Sequence, residues 1–144
     1  MMMERMQPWQ PLGKHLIRTQ DDVVFVRAQG EVTGPEIIAL CEEVLRVQNQ
    51  FGWAFEIVDA RAAGMMSAEA RQQNAAWLRQ NPLDVEVAVF GANLIWRTIF
   101  SLMSNALRLL SSSQPLLHLV ATEAEAWAWV DQRRRLRRPP AGRS

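Results

Sequence analysis

Residues 55–71 read FEIVDARAAGMMSAEAR. An apolar run, Phe55 to Val58 with Glu56 inside it, meets an acid at Asp59; a stretch of small residues follows, and Ser67 opens a helical pattern. A strand, a strand-end acid, a small-residue loop and a capped helix make a junction on which α/β proteins can build a reactive or anion-accepting site. The same junction is also an ordinary strand-to-helix connection. The continuous apolar character of Trp53–Asp59 predicts a strand buried on both faces, as in a parallel sheet.

Working outward, the chain alternates. Upstream, Thr33 followed by Gly34, Pro35 and Glu36 forms a T-x-x-E capping box with proline in the first turn. Ile37, Leu40, Cys41, Val44 and Leu45 then recur at helical spacing up to Phe51-Gly52. Before it, His15–Gln20 and Val23–Gln29 flank Asp21-Asp22, which predicts a hairpin. Downstream, Ser67 caps a helix that Pro82 prevents from continuing. VEVAVFG (85–91) is a strand, Leu94–Ser111 a long helix and LLHLVA (116–121) a further strand; a second capping box, Thr122 to Glu125, opens a last helix to about Leu136. The predicted order is β-β-α-β-α-β-α-β-α: a mostly parallel sheet with helices packed on it and an antiparallel edge from the N-terminal hairpin. Residues 1–13 read as an irregular arm, 14–136 as the α/β domain and 137–144 as a basic, disordered tail.

Composition narrows the function. At 144 residues the chain suits one domain. Residues 131–144 carry six arginines against Asp131, net +5, which leaves 10 basic and 14 acidic residues, net −4, in the rest. The run Arg133, Arg134, Arg135, Arg137 and Arg138 reads as a solvated tail, with weak attachment to an anionic membrane as the next choice. It lacks interleaved aromatics, so sequence-specific nucleic-acid binding is not expected. Cys41 is the sole cysteine, which rules out an intrachain disulfide and a cysteine-based zinc site. The N-terminal residues lack the apolar core of a secretory signal, and the expected compartment is the cytoplasm.

With the elements placed, the chain resembles the STAS family, in particular its small SpoIIAA-like (STAS/SEC14-type) single-domain bacterial members. The residues that carry the resemblance are VVFVRAQGEVT (23–33), FEIVDARAAGMMSAEAR (55–71), VEVAVFGANLIWRTIFSLM (85–103) and TEAEAWAWV (122–130). It implies a regulatory, non-enzymatic, protein-interaction domain, with binding of a lipid or other apolar small molecule in a SEC14-like groove as the alternative. Anti-sigma-factor antagonists of the wider family carry a phosphorylated serine at the start of the second helix, in a D-S-S-G-like sequence. Ser67 falls near that place, but Ala68-Glu69 follow it, so the motif does not carry over.

Asp59 could be a phospho-acceptor, but the acidic pair Asp21-Asp22 precedes its strand and the only lysine is Lys14, so a receiver-domain mechanism fails; Asp59 is expected to accept local bonds, for instance from Arg61. Ser67 is a helix cap first, and a candidate phosphosite or anion site second. His15 and His118 are the only histidines, and no G-x-S-x-G or H-E-x-x-H occurs, so no catalytic residue, metal or cofactor is assigned. The long helix has an apolar arc wider than a sheet requires, with Trp96, Phe100 and Leu107 on its rim beside Met103. Those four side chains are the expected surface for a homodimer, an unidentified regulatory protein or an apolar ligand, the alternative being that a neighbouring helix or the N-terminal arm, with Trp9, covers the rim.

Overall fold

The computed structural model describes residues 7–93, 97–98 and 116–137. Six strands form one sheet in the order β1-β2-β3-β4-β5-β6. They are β1 (Gln10–Leu12), β2 (His15–Gln20), β3 (Val23–Val32), β4 (Ala54–Met66), β5 (Val85–Phe90) and β6 (Leu116–Val120). The helices described are α1 (Gly34–Phe51), α2 (Ala68–Gln80) and α3 (Glu123–Arg137). β1–β2 and β2–β3 pair antiparallel, and β3 through β6 pair in parallel. Because successive parallel strands step one way across the sheet, right-handed crossovers place α1 and α2 on the same face. α3 follows the last strand and lies on the other.

The central strands are sorted by period-two alternation. Val23, Phe25, Phe55, Ile57, Ala88 and Phe90 pack with Ala126 and Val130 of α3. Their neighbours Val24, Ala54 and Val85 pack with Val44 and Val47 of α1. Ile37, Cys41 and Ala70 close the contact between α1 and α2. Each helix starts at the cap that the sequence supplies. The Glu36 carboxylate accepts from the Thr33 amide at 2.9 Å, the Ser67 hydroxyl from the Ala70 amide at 3.0 Å, and the Thr122 hydroxyl from the Glu125 amide at 3.2 Å.

Two expectations need correction. The arm read as irregular over residues 1–13 contains β1, an edge strand, the position in a sheet where a proline such as Pro11 is tolerated. Trp9 also packs edge-on against Phe25 at 5.0 Å. Second, the stretch after Asp59 is not a loop. β4 runs through it to Met66, paired with a β3 that itself continues to Val32. Two register shifts interrupt this extension, and there the small residues have their reason. A Cβ on Gly64 would stand 2.7 Å from the Gly30 carbonyl carbon, so the two backbones approach closer than any other residue at 64 permits.

The long apolar helix predicted over 94–111, with Trp96, Phe100, Met103 and Leu107, lies outside the described residues apart from Arg97 and Thr98, which are helical. Among the described residues no helix is long and apolar enough to cross a membrane.

Candidate functional site

Ser67 and Asp59 stand on the same strand-to-helix connection but do not form one site. Asp59 sits within β4 on the α3 face, buried to 2% exposure. The chain from Asp59 to Ser67 is extended and covers roughly 25 Å. Arg61 wraps Asp59, its amide and Nε donating to Oδ1 at 3.1 and 3.0 Å and its Nη2 to Oδ2 at 2.7 Å. Arg27 Nε lies 3.4 Å from Oδ2. Burial would raise the Asp59 pKa, but the bonds from Arg61 and the charge of Arg27 outweigh it and hold the carboxyl below its usual range. This carboxylate is committed to its arginines.

Ser67 is half-buried at the start of α2. Its amide donates to the Val32 carbonyl at 3.2 Å, which anchors the cap to the end of β3. Met65 beside it is an exposed large apolar side chain. The hydroxyl therefore has a structural duty, at the helix end where the dipole is positive.

The histidines and the cysteine are placed as structural groups. His15 Nδ1 accepts from the Gln29 amide at 2.9 Å, which leaves the ring proton on Nε2, 3.0 Å from Glu36 Oε1. Glu36 also takes Lys14 Nζ at 2.8 Å. Burial alone would raise its pKa, yet the bonds from Lys14, Thr33 and His15 keep it well below the usual carboxylate range. His118 stacks on Trp129, centroids 5.1 Å apart. The Cys41 thiol donates to Asn74 Oδ1 at 3.2 Å, and burial pushes its pKa up to about 12. Such a thiol is a poor nucleophile. Among the described residues no three His, Cys, Asp or Glu side chains are grouped as metal ligands would be.

The arginine run corrects the reading of a solvated tail. Arg133, Arg134 and Arg137 turn inward on α3. Arg134 grips Asp22, with Nε to Oδ2 at 3.0 Å and Nη2 to Oδ1 at 2.6 Å. Arg133 and Arg137 both donate to Glu86, each at 2.5 Å, and Arg137 also donates to Asp84 at 2.9 and 2.6 Å. Arg135 is exposed. A membrane contact through Arg133, Arg134, Arg135, Arg137 and Arg138 thus loses three of its charges to carboxylates. The signal was available: positions 126, 130, 133, 134 and 137 share one helical face, so the arginines prolong the buried stripe of Ala126 and Val130.

Sequence reasoning also passed over Glu56. It lies at the centre of β4, paired with Val24 of β3 and Val87 of β5, on the face covered by α1 and α2. A cavity of about 200 Å³ opens there, lined by Val26, Val58, Val87, Val89, Ile37 and Leu40 among others, with Glu56 in its wall. Glu56 is half-buried, and it stands in the lining of this space. Its carboxyl has no hydrogen bond or ion pair among the described residues. Burial, with nothing to oppose it, pushes its pKa up to about 7. A broader groove between the β1–β2 edge and α1 is polar, and its Glu43 is matched by Thr19 at 2.6 Å and Arg46 at 2.7 Å.

Comparison with known proteins shows the fold and stops there. No family model matches, and no curated protein matches. Among solved structures, the anti-sigma factor antagonist SpoIIAA in its unphosphorylated form superposes with a TM-score of 0.52 at 14% identity, over 88% of this chain and 97% of that one. A DUF3478-family protein with a SpoIIAA-like fold, from Shewanella loihica PV-4, gives a TM-score of 0.60 at 14% identity, over 85% of this chain and 98% of that one. The fold is SpoIIAA-like, as the sequence resemblance implied.

Proposed function

We propose that this chain is a STAS-like regulatory module that binds another protein and catalyses no reaction. The observation that carries the reading is the presentation of the α2 N-terminus on a SpoIIAA-like fold. Ser67 is half-buried there, and Met65 is exposed beside it at the end of the lengthened β4. Anion-accepting N–H groups and an apolar side chain together suit a protein surface. The non-catalytic part is supported by how the reactive side chains are spent: Asp59 on Arg61, His15 on Gln29 and Glu36, Cys41 as an unreactive thiol.

In this reading the module is a cytoplasmic homodimer, and the stripe of Trp96, Phe100, Met103 and Leu107 supplies its apolar contact. Sedimentation velocity on the full chain tests it. Wild type should sediment as a dimer and the Trp96→Ala/Phe100→Ala variant as a monomer; a monomeric wild type, or a variant that remains dimeric, overturns that part. Met65→Asp should reduce recovery of a partner from a native lysate, and unchanged recovery removes the α2 surface from the proposal. A second reading, binding of an apolar small molecule, has its own observation in the cavity at Glu56.

A further inference from the structure

A carboxyl group that finds no partner among the described residues, in the middle of a parallel sheet, is costly to bury. Burying a polar group without a hydrogen bond is unfavourable, and burying an unpaired charge much more so. On the opposite face of the neighbouring strand, Glu86 meets the same demand with two arginines. Among the described residues Glu56 has none, and it lines a cavity of about 200 Å³. Core strands ordinarily fill such space to crystal-like density. The unmet carboxyl and the unfilled volume occur at the same place, and a single occupant would satisfy both.

We propose that the cavity over β4 is a binding site for a small, mainly apolar molecule with one neutral hydroxyl head group, which pairs with the Glu56 carboxyl. Chemistry selects the head group. With burial holding the carboxyl near the midpoint of its titration at neutral pH, the occupant must suit both protonation states, and a hydroxyl can donate to the ionised form and accept from the neutral one. A carboxylate head would be repelled by ionised Glu56, and an ammonium would have to give up its hydration in an apolar chamber. The other titratable groups near the space are engaged: Glu36 with Lys14 and His15, Arg71 with the Met66 carbonyl at 2.8 Å, and Cys41 with Asn74. Size limits the apolar part. A dry cavity of about 150 Å³ accepts benzene, so about 200 Å³ takes a chain or ring of about six to ten carbons. This inference rests on the second reading, an apolar ligand in the Glu56 cavity, and is independent of the protein-interaction reading.

The test is calorimetric titration of the full-length protein with 1-heptanol at pH 7. Wild type should bind one molecule saturably. Glu56→Leu should weaken binding roughly tenfold, the cost of a head group left without its partner, while Glu56→Gln should stay within about threefold of wild type. Equal affinity in Glu56→Leu overturns the assignment. So does the absence of saturable binding by wild type, the result expected if residues 94–115 of the chain themselves occupied the space. A measurement on wild type alone keeps the proposal testable should the variants fail to fold: the infrared carbonyl band of protonated Glu56, followed at pH 5, should shift on adding 1-heptanol. An unmoved band overturns it.

Discussion

Arg134 and Asp22 are 112 residues apart in the chain and joined by two hydrogen bonds, at 3.0 and 2.6 Å, in the structure. Asp22 ends the turn between β2 and β3 and is 3% exposed. It also accepts from Trp53 Nε1 at 2.9 Å, and its own carbonyl accepts from the Phe55 amide at 2.8 Å. One acid therefore ties the first hairpin, the start of β4 and the last helix together. Burial would raise its pKa, but the bonds from Arg134 and Trp53 prevail and lower it.

Removing Arg134 should expose that arrangement. Arg134→Ala leaves Asp22 buried with Trp53 alone, and the loss in urea denaturation at pH 7 should be about 3 kcal/mol. The sign with pH follows from the lowered pKa. The pair's contribution is fully present above the ordinary carboxylate range and is lost as pH falls through the folded-state pKa. The difference between variant and wild type should therefore shrink in acid. An equal loss at pH 7 and in strong acid would mean that packing of the arginine stem, not its charge, is what matters.

Glu56 should act in the opposite sense. Its pKa rises from an ordinary 4.5 to about 7 on folding. The folded state then holds more protons than the unfolded one between those values, and stability falls as pH rises through them. Wild type should lose up to about 3 kcal/mol relative to Glu56→Gln between pH 4.5 and 8. Parallel chemical denaturation of the two proteins across that range checks it; a constant difference would show that Glu56 is already hydrated or paired.

Gly64 is expected to resist the smallest substitution. Gly64→Ala drives a methyl group against the Gly30 carbonyl carbon, and backbone cannot yield as a side-chain tip can. A loss of about 1–3 kcal/mol in thermal or urea unfolding is expected. Ala63→Gly serves as the control in the same segment and should cost about 1 kcal/mol or less.

At Ser67, Ala should cost about 1 kcal/mol through the lost cap, and Asp, an equally good cap, should be near neutral. If Ser67 is a cap alone, both variants should leave partner recovery unchanged. A phosphosite would show as a phosphoform in intact-mass analysis of protein from its native cells, with the Asp variant altering recovery. No phosphoform under any growth condition would remove that role.

The sequence by itself determined the alternation of strands and helices, the three capping signals and the hairpin at Asp21-Asp22, because these depend on local rules. Capping needs a hydroxyl or carboxylate within four residues, and a buried parallel strand needs only a continuous apolar run. From those the mostly parallel sheet and its SpoIIAA-like architecture were legible. The tertiary structure decided what local rules cannot reach. The small residues Ala60 to Gly64 looked like a loop because nothing nearby in the chain says that β3 will press against them. The arginines at 133, 134 and 137 looked like a solvated run because Asp22, Asp84 and Glu86, which receive them, lie on distant strands. Glu56 looked like one acid in an apolar run. Whether such an acid meets an arginine, as Glu86 does, or an open chamber depends on which helix crosses that face of the sheet, and on what it leaves uncovered.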